Sequence, residues 1–114
     1  MSKISTHVLD TAKGKPAVGV LVRLDRQESS GNWSSLSSGH TDQDGRCAQL
    51  LPDGTPLVEG VYRLTFDTAS YFAACRLDGL YPAVEVLFRV RYNESHFHIP
   101  LLLSPHGYTT YRGS

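Results

Sequence analysis

The sequence predicts an all-β sandwich of two sheets carrying one short helix. Three observations lead there. Apolar and polar residues alternate with period two along most of the apolar stretches. Turn-forming clusters of Gly, Pro, Asn, Asp and Ser interrupt those stretches at short intervals. A single segment, TASYFAACRLDG at 68–79, has helical character instead. About seven or eight short strands with one helix suit stacked sheets better than an alternating α/β arrangement. With 114 residues the chain is read as a single domain spanning 1–114.

The elements follow in order. ISTHVLD at 4–10 sets Ile4, Thr6 and Val8 against Ser5, His7 and Leu9. AVGVLVRLDR places Val18, Val20, Val22 and Leu24 on one face and Leu21, Arg23 and Asp25 on the other. GNWSSLSS is a short strand after the SSG turn. TDQDGR reads as a hairpin turn in which Gly45 takes positive φ and Arg46 opens the next strand. GVYRLTFD alternates Tyr62, Leu64 and Phe66 against Val61, Arg63 and Thr65. The helix follows, with Thr68 or Ser70 as its cap and Gly79 as its stop. AVEVLFRVRY sets Val84, Val86, Phe88, Val90 and Tyr92 against Glu85, Leu87, Arg89 and Arg91. HFHIPLLL and YTTYRG supply the last two strands, joined by the SPHG turn.

Composition narrows the function. Eleven Lys and Arg balance eleven Asp and Glu, and no basic stripe forms. A neutral chain has no general field for nucleic acid or an anionic membrane. No apolar run is long enough to span a bilayer, and MSKISTHVLD lacks the apolar core of a signal peptide, so a cytoplasmic location is expected. Cys47 and Cys75 are read as reduced, small apolar residues, with one disulfide left open.

The histidines carry the chemistry. His96 and His98 lie two apart and share a strand face, while Phe97 and Ile99 take the other. Imidazole titrates near neutrality and serves as a base without a large shift. The His-x-His spacing also suits zinc with His7 as a third ligand, but no acid or cysteine stands at ligand spacing nearby. Neither a nucleophile elbow nor a glycine-rich phosphate loop occurs, and DQDGR lacks most positions of a calcium loop. Taken singly, His7 reads as a polar interface residue, Arg46 as an edge charge, and His40 as a loop histidine.

Three stretches together change those odds. They are ISTHVLDTAKGKPA at 4–17, TDQDGR at 41–46 and HFHIPLLLSPHGYTTYRGS at 96–114. The sequence resembles the 5-hydroxyisourate hydrolases, the transthyretin-related enzymes of urate breakdown, over nearly its whole length. LTFDTASYF and YPAVEVLF resemble further segments of that family, and the terminal Tyr-Arg-Gly-Ser resembles a motif that the hormone carrier transthyretin lacks.

The resemblance implies a transthyretin-like sandwich of two four-stranded sheets. It also implies a homotetramer, a dimer of dimers, with the sites in the cleft between subunits and no cofactor. By the same resemblance His7, Arg46 and His98 are catalytic. Tyr111, Arg112, Gly113 and Ser114 join His7 and Arg46 in binding substrate, and His96 is a further member without an assigned role. His106, Thr109 and Phe97 depart from the commoner family pattern without removing a catalytic group. The alternative is a non-catalytic carrier of a small aromatic ligand in a central channel.

Overall fold

The computed structural model describes residues 2–114, so Met1 lies outside it. Nine strands and one helix follow one another: β1 (Lys3–Asp10), β2 (Lys15–Pro16), β3 (Leu21–Gln27), β4 (Trp33–His40), β5 (Arg46–Cys47), β6 (Gly60–Phe66), α1 (Thr68–Ala74), β7 (Val84–Val90), β8 (His96–Ser104) and β9 (Gly107–Thr110). One sheet runs β4-β3-β6-β7 and is antiparallel throughout. The other runs β2-β1-β8-β9, with β5 also on β1. The second sheet therefore has five strands where four are expected. It remains four strands wide, because β5 pairs Thr6 and His7 while β2 pairs Leu9 and Asp10 of the same β1.

The period-two patterns bury as written. Ile4, Thr6 and Val8 of β1 are fully covered, as are Val22 and Leu24 of β3, Tyr62, Leu64 and Phe66 of β6, and Leu101 and Leu103 of β8. These inward faces meet as one core, closed by Tyr71 and Phe72 of α1. Hydrophobic burial of this kind supplies most of the driving force for stacking the sheets. On the far side of the antiparallel sheet, Arg63 donates to Asp25 at 2.9 Å and stacks 4.2 Å from the Trp33 ring.

Several boundaries differ from the sequence expectations. Val18 lies in a turn and is exposed, and the strand starts at Leu21. Tyr92 lies beyond the end of β7, 78% exposed. Asp67, one residue ahead of Thr68 and three ahead of Ser70, is the cap and accepts from Ser70 N at 3.1 Å and Ser70 Oγ at 2.7 Å. Gly79 lies four residues past the Cys75 cap, but Arg76 already takes positive φ (59°) and stops the helix there. Gly79 instead packs on Phe72, where a Cβ would come within 2.7 Å of the ring.

The TDQDGR segment is a crossover and not a hairpin. It carries the chain from β4 in one sheet to β5 in the other. His40 ends β4 rather than sitting in a loop.

Candidate active site

Arg46 reaches the outer face of the mixed sheet because Asp42 builds the loop before it. The Asp42 carboxylate accepts from the backbone N–H groups of Asp44 and Arg46, both at 2.9 Å. The N–H of Arg46, then that of Asp44, holds this carboxyl below its ordinary 3.8. Gly45, at φ 76°, donates to Asp42 O and accepts from Val8 N at 2.7 Å. A Cβ there would lie 2.4 Å from Val8 O, so only glycine lets the loop close onto β1. The result sets Arg46 directly opposite His7 in the β1–β5 ladder.

His98 is placed by a parallel pairing. β1 and β8 run side by side with Ser5 opposite His98 and His7 opposite Pro100. Ser5 and His7 share the outer face by strand alternation. Ser5 Oγ stands 2.8 Å from His98 Nδ1. The tail closes on the other ring edge: Gly113 N donates to His98 O at 2.7 Å, and a Gly113 Cβ would lie 2.6 Å from His98 Cδ2. Partial burial, then the charges of Arg46, His7 and Lys3, hold the His98 imidazole below its ordinary 6.5.

These groups surround a cavity of about 380 Å³. Lys3, Ser5, Arg46, His96, His98 and Ser114 are among its walls, and no Asp or Glu side chain is. Such a pocket favours a polar, electron-rich or anionic guest and offers an imidazole base beside a guanidinium fork. Among the described residues, no three His, Cys, Asp or Glu side chains gather as a metal-binding group. Both cysteines are free thiols; Cys47 is buried, and burial pushes its thiol pKa up.

The structure brings together Arg46, His96, His98, Gly113 and Ser114 of the sequence-predicted residues. His7 stands beside Arg46, outside the cavity wall of a single chain. Tyr111 and Arg112 go elsewhere. They line a separate groove of about 260 Å³ with Phe97 and Ile99, on the other side of β8 from His98. Arg112 donates to Glu94 at 2.9 Å and to His96 O at 3.1 Å, and lies 4.4 Å from the Phe97 ring centroid. It latches the tail down instead of reaching the cavity. The ladder of the expected strand YTTYRG accordingly stops at Thr110, but the chain carries on along β8 in the same register, so that Gly113 bridges His98.

Ser5, Lys3 and Glu94 were not among the sequence candidates. Alternation does put Ser5 on the face of His7, but the pairing that sets it against His98 spans 93 residues and leaves no local mark.

A two-sheet sandwich with a basic, imidazole-bearing pocket on the outer face of one sheet defines a transthyretin-type domain fitted for polar chemistry. The model of the HIUase/transthyretin family matches residues 4–113, and the chain belongs to that family. It is 46% identical over 111 residues to a 5-hydroxyisourate hydrolase of Salmonella dublin, covering 97% of this chain and 80% of that protein. The structure of Klebsiella pneumoniae 5-hydroxyisourate hydrolase is similar over 100% of both chains, with 38% identity and a TM-score of 0.86. Sea bream transthyretin in complex with thyroxine is similar over 97% of this chain and 94% of that one, with 31% identity and a TM-score of 0.89.

Proposed function

We propose that this protein hydrolyses 5-hydroxyisourate to 2-oxo-4-hydroxy-4-carboxy-5-ureidoimidazoline in urate degradation. The observation that carries the reading is His98 beside Arg46 on one walled face, in a chain 46% identical to a named 5-hydroxyisourate hydrolase. Water adds to the C6 carbonyl, the N1–C6 bond breaks, and N1 takes a proton as the carboxyl forms. His98 takes the proton of the attacking water. Arg46 aligns the ring and stabilises charge gathering on the carbonyl oxygen through its paired N–H donors. His7, next to Arg46, returns a proton to the leaving nitrogen. Gly113 and Ser114 close the pocket, and Arg112 holds that tail in place. The chemistry uses no cofactor.

The working unit in this reading is a homotetramer, a dimer of dimers, in the cytoplasm, built from one domain spanning the chain. Each site then gains groups from a second copy, which brings His7 to the substrate. Among the described residues β7 and β9 end their sheets with no strand beyond them, and such edges suit pairing between copies. No helix among the described residues is long and apolar enough to cross a membrane.

The carrier alternative rests on the fold shared with sea bream transthyretin. A pocket walled by two histidines, an arginine and a lysine suits a hydrolytic site better than an apolar carrier site. A coupled absorbance assay separates the two. Urate oxidase generates 5-hydroxyisourate, and its decay is followed with and without the protein in the presence of a chelator. Faster decay is expected, and His98→Ala is expected to lose roughly 100- to 10,000-fold. No acceleration by folded protein would leave carriage of an aromatic ligand as the better reading.

A further inference from the structure

We propose that Ser5 is a positioning residue for this reaction, holding Nδ1 of His98 so that Nε2 is the nitrogen that works. The inference rests on the catalytic reading of His98. Three sides of the ring decide it. Ser5 Oγ is 2.8 Å from Nδ1, and the tail at Gly113 packs the Cδ2 edge. Among the described residues Nε2 has no hydrogen-bond partner, and the ring lines the cavity. With Nδ1 taken by Ser5 and Cδ2 held by the tail, Nε2 is the nitrogen left without a partner.

Ser5 is itself only 8% exposed, and its backbone is fixed opposite His98 in the β1–β8 ladder. Its hydroxyl is short, with one torsion to restrict, so holding the ring costs little entropy. A base needs its lone pair on Nε2, which puts the proton on Nδ1. The Nδ1–H then donates to Ser5 Oγ. When Nε2 takes the water proton, the same bond persists to the imidazolium and strengthens with its charge. The hydroxyl thus supports His98 through both protonation states without moving it.

The tests separate this from the catalytic reading. The charged and titratable groups facing the ring are Lys3 and His7 from β1, Arg46 from β5 and His96 from β8 itself. None of them changes in Ser5 variants. Ser5→Ala is expected to lower kcat roughly tenfold, equal to about 1.4 kcal/mol, with KM changed by less than about twofold. Ser5→Thr, which keeps the hydroxyl, is expected to recover most of that loss. Nitrogen NMR of the unaltered protein provides a check that needs no variant: above its titration His98 should carry its proton on Nδ1, and Ser5→Ala should populate both tautomers. A resting proton on Nε2, or wild-type kcat in Ser5→Ala, would overturn the role of Ser5 while an inactive His98→Ala left the catalytic reading standing. Near-normal turnover in His98→Ala would overturn both.

Discussion

Single atoms decide much at this site. Gly113 lies so close to His98 that an added methyl would overlap Cδ2 at 2.6 Å and Pro100 Cγ at 3.0 Å. Either the tail lifts or the ring tilts. Gly113→Ala is therefore expected to fold with a nearly unchanged melting midpoint and to lose up to about 100-fold in kcat/KM. Full activity would show that the tail does not set the ring. The charge state of His98 is open to the same scrutiny. Its pKa is held down first by burial and then by Arg46. NMR titration should place it below the ordinary 6.5, and Arg46→Gln should raise it. The unfolded chain then takes up this proton first as pH falls, so the group costs stability below pH 6.5 and nothing above it. Urea melts across that range should show His98→Gln losing less stability than the parent on acidification. That Arg46 and His98 belong to one pocket was legible because each sits in a motif stretch, whereas His7, from a third such stretch, lies outside the cavity wall of one chain. Ser5 was not legible, since a serine on a strand is ordinary until its cross-sheet neighbour is known.

Local rules fixed most elements and missed some ends. Strand interiors followed alternation because one face of each had to be buried, as in β6 with Tyr62, Leu64 and Phe66. Their ends depend on tertiary partners. Tyr92 fits the alternation of β7, yet Arg91, Tyr92 and Asn93 leave the ladder, and Asn93 takes positive φ (68°). TDQDGR carries every signal of a hairpin, and only the choice of β1 as partner makes it a crossover. The helix cap falls at Asp67 and not at Thr68 or Ser70, although all three are capable caps. Asp67→Ala should cost about 1 kcal/mol in chemical denaturation and leave turnover intact, since α1 stands apart from the cavity. A loss of activity without a loss of stability would mean that α1 communicates with the site.

At the scale of the whole molecule, the question is how many copies complete the site. His7 does not wall the cavity of one chain, whereas the proposed mechanism gives it a proton to deliver. Light scattering should give about four times the 12.6 kDa of one chain. Activity per chain should fall on dilution below the assembly constant. A fully active monomer would remove His7 from the mechanism as written. The sandwich itself was readable from the sequence, but its partners were not: edge strands such as β7 and β9 carry no local mark of what they meet.

The parallel pairing of β1 with β8 also has a consequence in time. Lys3 meets His96 and Asp10 meets Leu103, so the first strand to emerge from a ribosome waits for nearly the last. At ordinary synthesis rates that interval is roughly 5 to 20 s. Until then that edge of β1 has no neighbour, and Ser5 has no ring to hold. Contacts so distant in sequence slow folding, because a large loop must close before they form. Catalytic competence is thus among the last properties this chain acquires: no nascent fragment ending before β8 holds the pocket, however much of the antiparallel sheet it has already built.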